Sequence, residues 1–232
     1  MSFDKIIIVV LLILLGVWIY RGRKSTQLSY IESYRFNSAI TKKVKARYSH
    51  LSDDDLKLVI DGLREYFYLC CQAKRRMVAM PSQVVDVAWH EFILFTRSYQ
   101  LFCKRALGRF LHHTPTEAMR TRTLARDGIK RAWRLACAKN HINPANPVRL
   151  PLLFSIDTQL NIEDGFKYSL DCRDKSSPRY GDGYCAGDIG CASGCLGDSG
   201  TTSDSGGFFD GFGDSGGCAG DSGGCSGSCG GD

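Results

Sequence analysis

His50-Leu51-Ser52-Asp53-Asp54-Asp55-Leu56 opens the stretch that decides the fold. Ser52 suits an N-cap, Asp55 stands at the third helical position from which a carboxylate reaches back, and Leu51 can staple to Leu56. Leu56, Val59, Ile60, Leu63, Phe67 and Cys70 then recur every three or four residues, which makes one buried helix face. Downstream, Pro81 and Ser82 start a second helix that carries Val85, Trp89, Phe92, Phe95 and Tyr99 to about Leu107, where Gly108 stops it. Thr114-Pro115-Thr116-Glu117 is a third start, with Thr114 as cap, Pro115 at the first helical position and Glu117 reaching back. That helix runs to about Asn140 and buries Leu124, Ile129, Trp133 and Cys137. Asn143-Pro144 and Pro147 end the pattern, and Leu150-Pro151-Leu152-Leu153-Phe154 is a short apolar stretch expected to pack across the helices. Residues 26–170 therefore read as a small, mostly α-helical bundle.

Both ends differ from this body. Ile6 to Tyr20 (IIIVVLLILLGVWIY) contains no charge, and its fifteen residues cover roughly 22 Å of helix against a hydrocarbon core of ~30 Å. Phe3 extends the apolar stretch, Lys5 can snorkel, and Trp18 and Tyr20 suit the membrane interface. A cleaved signal peptide needs a basic start and small residues at its end, but Asp4 offsets Lys5 and Gly16-Val17-Trp18-Ile19-Tyr20 is bulky. Residues 1–25 are read as a retained single-pass anchor. Arg21, Arg23 and Lys24 follow the span, with Arg35, Lys42, Lys43, Lys45 and Arg47 close behind, so the positive-inside rule places the rest in the cytoplasm, on a cell inner membrane. The same stretch can lie on anionic lipid headgroups. Residues 171–232 are read as a disordered Gly/Asp/Ser/Cys-rich tail. From Gly181 onward it holds nineteen of the 25 glycines, six of the 11 cysteines, eight aspartates and no Lys or Arg. Its charge of −8 leaves +14 on residues 1–180, given a net charge of +6. An odd cysteine count and a reducing compartment both argue for free thiols.

The run Val85-Asp86-Val87-Ala88-Trp89-His90-Glu91-Phe92-Ile93-Leu94, with Tyr99, Phe102, Cys103, Gly108 and Phe110-Leu111-His112-His113 after it, supports a family comparison. It resembles the glycine-rich domain-containing proteins, whose plant members and bacterial relatives share a D-x-x-W-H block followed by Y-x-x-x-C-x-x-x-x-G. Asp86, Trp89, His90, Tyr99, Cys103 and Gly108 stand at those places, and Leu150–Phe154, Asp157 and the Gly-rich end are similar to bacterial members. The resemblance covers roughly residues 75–170. It implies a helical domain followed by a Gly-rich segment, and it implies no reaction.

Candidate chemistry centres on Asp86 and His90, four residues apart on one helix face, where a carboxylate and an imidazole can hold a metal or act as an acid–base pair. His112 and His113 are the natural further ligands, but distance opposes them. A continuous helix puts Gly108 ~27 Å from His90, and the residues to His112 span at most ~17 Å, so closure needs an early break or a second chain. The plainer expectation is that Asp86 accepts a hydrogen bond from a helix end while Trp89 and His90 pack in the core. Cys103 beside His112 or His113 would suit a thiolate–imidazole pair, although its helix face is that of a buried thiol. Arg122, Arg126, Lys130 and Arg134, flanked by Arg120 and Arg131, form a basic stripe with no interleaved stacking aromatics, so it reads as a solvated face, with anionic lipid or the chain's own acidic tail as the functional alternatives and nucleic acid not expected. Gly-Asp-Ser-Gly occurs three times, at Gly197, Gly213 and Gly220, inside low-complexity sequence with no His after His141, which excludes a serine-protease site.

In the tail, Cys185-x5-Cys191-x3-Cys195 is echoed by Cys218-x6-Cys225-x3-Cys229. Six thiolates can take zinc or another soft metal, but glycine is costly to order and only Phe208, Phe209 and Phe212 are apolar enough to cluster. Gly206–Asp214 only hints at the strict nine-residue repeat of a calcium β-roll. Two functions follow as expectations. One is a membrane-anchored binding or scaffold protein with an unknown protein partner and a flexible thiol-rich arm. The other is a metal-binding protein or metalloenzyme, built on Asp86, His90, Cys103, His112 and His113 or on the tail cysteines.

Overall fold

Ser52 forms the expected cap in the computed structural model, which describes residues 3–113, 122–170, 184–186 and 189. Asp55 donates its backbone N–H to the Ser52 hydroxyl at 3.2 Å, and the Ser52 N–H donates to the Asp55 carboxylate at 2.8 Å, which satisfies two of the donors a helix start leaves open. Seven helices follow in order among the described residues: α1 (Phe3–Ser33), α2 (Ser38–Arg47), α3 (Asp53–Ala73), α4 (Gln83–Leu94), α5 (Thr96–Leu107), α6 (Arg122–Lys139) and α7 (Leu152–Gln159). The protein is mostly α, a helical bundle around α3, which packs against all six others. The apolar face read from the sequence is the buried one, with Leu63 and Phe67 fully enclosed and Val59 and Cys70 nearly so.

α1 has two parts with different surroundings. Ile6 to Tyr20 is exposed throughout, and the helix is long and apolar enough to cross a membrane. Its last turns belong to the bundle, where Ile31 is buried and Tyr34, just past the helix, packs edge-on to Phe102 at 4.6 Å. Phe36, Phe67, Phe92 and Phe102 complete an aromatic core that joins the end of α1 to α3, α4 and α5. Arg64 of α3 donates to the carbonyls of Ile31, Glu32 and Tyr34 at 2.7–3.0 Å, supplying partners for acceptors that the end of α1 leaves open. α1 thus runs without a break from the apolar stretch into the bundle.

The start of α4 is held from a distant helix. Asp157 of α7 accepts from the Ser82 hydroxyl at 2.7 Å and from the N–H groups of Gln83 and Val84 at 2.7 and 3.2 Å. It also accepts from the Phe166 N–H at 2.9 Å, which ties the chain beyond α7 to the same carboxylate. Burial pushes the Asp157 carboxyl above its ordinary range, and these four donors offset part of that cost. Leu153 and Phe154 of the predicted apolar stretch are buried, with Phe154 edge-on to Trp133 of α6 at 5.0 Å.

Two expectations change. The second predicted helix is not continuous: it breaks at Phe95, whose φ of −80° and ψ of 60° end α4 and begin α5. Those angles are close to an inverse γ-turn, about −75° and +65°. Gly108 closes α5 in the left-handed region at φ 67°, as expected. The packed body also extends past residue 170. β1 (Tyr168–Ser169) pairs in parallel with β2 (Tyr184–Cys185), Tyr168 opposite Tyr184 and Ser169 opposite Cys185, while Ala186 and Ile189 are buried in the core. The Thr114 cap and the side chain of Leu124 lie outside the described residues.

Three outcomes test this packing by thermal unfolding of the full chain in detergent. A Cβ on Gly62 would stand 2.8 Å from Val85 Cγ2, so α3 meets α4 with no room to spare. Gly62→Ala should therefore destabilise by about 1 kcal/mol or more, because overpacking a stiff β-branched neighbour outweighs alanine's helix advantage of up to ~1 kcal/mol. Asp157→Ala should cost about 3 kcal/mol or more, since it strands several buried donors at once. Acid gives the third test. Burial alone would raise the Asp164 carboxyl, but the Tyr48 hydroxyl and the Arg47 guanidinium, both at 2.8 Å, bring it below its ordinary range. A depressed folded pKa contributes stability above the unfolded value of about 3.9 and loses it as pH falls through the folded value. The melting-temperature gap between wild type and Asp164→Asn should accordingly be widest near neutrality and close below about pH 4.

Candidate metal centre

Asp86 and His90 lie one turn apart on α4, with His90 Nδ1 3.7 Å from Asp86 Oδ2. The break at Phe95 decides what joins them. It lets α5 turn away early, so that Tyr99 approaches α4 and accepts a hydrogen bond from the Trp89 indole at 3.1 Å. The same Tyr99 hydroxyl donates to the Leu111 carbonyl, drawing the chain after Gly108 back over α4. Leu111 is buried, and two residues on His113 meets the Trp89 ring edge-on at 4.6 Å. Trp89 and Tyr99, read from the sequence only as core, are the residues that place His113.

His113 completes a three-residue group. Its Nε2 is 3.1 Å from Asp86 Oδ1 and its Nδ1 is 3.3 Å from His90 Nε2. One ligand atom from each of Asp86, His90 and His113 can be chosen so that all three lie within 4.8 Å of one another. Burial is graded: the side chain of His113 is 17% exposed, that of Asp86 21% and that of His90 51%. The group therefore opens to solvent at His90.

The hydrogen-bond order follows from the donors available. An ionised Asp86 only accepts, so His113 donates from Nε2 and, when neutral, accepts at Nδ1. His90 then donates from Nε2, and its Nδ1 faces Asp86 Oδ2 at 3.7 Å. The carboxylate thus selects the His113 tautomer and leaves Nδ1 aimed at His90, the arrangement by which a carboxylate orients a metal-binding imidazole. The 3.3 Å between His113 Nδ1 and His90 Nε2 also suits an ion in place of the shared proton. Two atoms each ~2.0–2.1 Å from a tetrahedral zinc are about 3.3 Å apart.

The other predicted site residues separate from this group. His112 is exposed and packs on Phe110 at 4.8 Å, turned away from His90. Cys103 is fully buried against Tyr99, and burial pushes its thiol up, which removes the nucleophile reading. Cys70 and Cys137 are also enclosed, with thiols pushed up to about 12 and about 11 by burial. Asp86 does not serve a helix end as expected; Asp157 does that, and Asp86 is free to meet His113. His90 is likewise not a core residue. Backbone pairing places Cys185 in β2, and Cys191, Cys195, Cys218, Cys225 and Cys229 lie outside the described residues. Of the basic stripe, Arg131 donates to the Met77 carbonyl and so has a structural task, while Arg120 and the side chain of Arg122 lie outside the described residues.

Comparison with curated proteins and with solved structures gives no match. A family model described as UCP032817-like matches residues 26–189. The matched stretch begins within α1, takes in α2 to α7 and both strands, and contains Asp86, His90 and His113. Since it spans more than half of the 232 residues, the chain belongs to the UCP032817-like family.

Proposed function

We propose that this chain is a membrane-tethered domain that binds a divalent metal, zinc or an ion of similar ligand preference, through His90 and His113, with Asp86 orienting His113. One observation carries the reading: a residue 27 positions from Asp86 and 23 from His90 returns to within hydrogen-bond distance of both. Two imidazoles are donors that suit zinc, Asp86 holds His113 in the binding tautomer from its other ring nitrogen, and the remaining coordination positions are open to water or a substrate. Exposure of His90 gives the ion a route in. When bound, such an ion supplies Lewis acidity and lowers the pKa of a coordinated water.

The tether follows from the apolar stretch Ile6–Tyr20, and the basic residues after it favour an inner-membrane protein with the domain in the cytoplasm. In that reducing compartment the tail thiols would stay free to take up or pass on a soft metal. A metal-independent scaffold with an unknown protein partner makes no use of the histidine approach, so it ranks second. The similarity to glycine-rich domain-containing proteins supports the order of a helical domain before a Gly-rich end and is neutral between the two.

The test is metal content and melting temperature of the full chain, purified in detergent under reducing conditions, with zinc and with a chelator. Wild type should hold about one equivalent more metal than His113→Ala, and a variant with the six tail cysteines changed to Ser should keep that equivalent. At free zinc about a hundredfold above Kd, binding should add about 2.7 kcal/mol to stability, lost on chelation. Tyr99→Phe, which releases the Leu111 carbonyl, should weaken zinc binding without abolishing it. Metal retained by His113→Ala but lost from the tail variant would move the site to the tail, and metal in none of them would leave the scaffold reading.

A further inference from the structure

The end of the bundle that faces the apolar stretch is built from three separate parts of the chain. Arg21, Arg23 and Lys24 stand on α1 directly after Tyr20. α3 runs back along α1: Arg64 meets the carbonyls of residues 31–34, Cys71 meets Gln27 at 3.9 Å, and Lys74 Nζ lies 4.9 Å from the centre of the Tyr20 ring. Lys74, Arg75 and Arg76 are consequently exposed at the level where the apolar stretch stops. α5 returns the same way, since a Cβ on Gly108 would be 3.4 Å from Gln27, and Arg109 then clasps the Lys74 carbonyl at 2.7 and 3.0 Å.

Seven cations thus gather around the emerging helix, from residues about 50 and 85 positions apart. Among the described residues none of the seven forms an ion pair, although Lys45, Arg47, Lys57, Arg64 and Lys139 elsewhere all do. The closing turns of α3 and α5 contain no acidic residue. Concentrating like charge without counter-charge is costly unless a partner supplies the anions. A tethered domain has one such partner always within reach. The headgroup layer begins where Tyr20 ends, and Lys74, 4.9 Å from the Tyr20 ring, stands at that level.

We infer that Lys74, Arg75, Arg76 and Arg109 form, with Arg21, Arg23 and Lys24, a collar that docks the helical domain on anionic lipid headgroups. The inference rests on Ile6–Tyr20 spanning the bilayer. It goes beyond the basic stretch that simply follows the span, because four of the seven charges come from α3 and from the turn after α5. Each basic side chain near an anionic surface adds attraction equivalent to about a fivefold preference. The docked domain holds Lys74–Arg76 against the lipid.

The test uses the full chain in lipid nanodiscs of phosphatidylcholine alone or with about 30% phosphatidylglycerol. Backbone hydrogen exchange is followed at residues 74–77 and 108–110, and alkaline-carbonate extraction from vesicles of the same lipids runs beside it. Exchange at both segments should slow by about threefold or more when the anionic lipid is present, and the effect should vanish in ~0.5 M salt. The double variant Arg75→Gln/Arg76→Gln should lose most of the slowing while still resisting carbonate. Equal exchange in the two lipids overturns the collar, and in that case protection common to both marks the chain's own acidic tail as its counter-charge. Protection by duplex DNA in lipid-free detergent that matches the anionic nanodisc overturns it in favour of nucleic acid. Extraction of wild type by carbonate overturns the span itself, a failure separate from that of the collar.

Discussion

One buried carboxylate positions the element on which the site depends. Asp157 gathers Ser82, the first two N–H groups of α4 and the Phe166 N–H into one cluster, although Ser82 lies 75 residues away. Ser82 caps α4 only weakly by itself, with its hydroxyl accepting from Val85 at 3.3 Å. Asp157 supplies the negative end that a helix start favours, and it does so from α7. The position of α4 fixes Trp89, Trp89 fixes Tyr99, and Tyr99 fixes the chain that carries His113. The helix-bundle core and the candidate metal centre are therefore two results of the same anchoring.

The parts of the fold governed by local chemistry could be read from the sequence. The Ser52–Asp55 capping box needs only neighbours three residues apart, and the Gly108 stop needs only a residue at ease with positive φ. The break at Phe95 could not be read. Phe92, Phe95 and Tyr99 continue the helical spacing, and neither Gly nor Pro marks the turn. The break is enforced by tertiary contacts, the Trp89–Tyr99 hydrogen bond and the enclosure of Phe102, which outweigh the local preference for continuing.

The same limit explains the site. Asp86 and His90 were legible as a pair because a helix turn relates them, whereas His113 was opposed by a distance argument that assumed a straight helix. Removing that assumption removes the objection. Cys103 and His112 were plausible by residue type alone, and they fail on direction: one points into the core and the other out to solvent. Asp157 gave no local signal at all, because a residue that caps a helix in another part of the chain follows no sequence spacing.

The unbroken course of α1 has a mechanical meaning. A helix of 31 residues is about 46 Å long and stiff over that length, and Arg64 and the aromatic core clamp its far end. No hinge separates the apolar stretch from the bundle, so the domain cannot swivel independently of it. In a bilayer, whatever tilts the apolar stretch, such as a thicker or thinner hydrocarbon layer, would swing the whole domain like a lever.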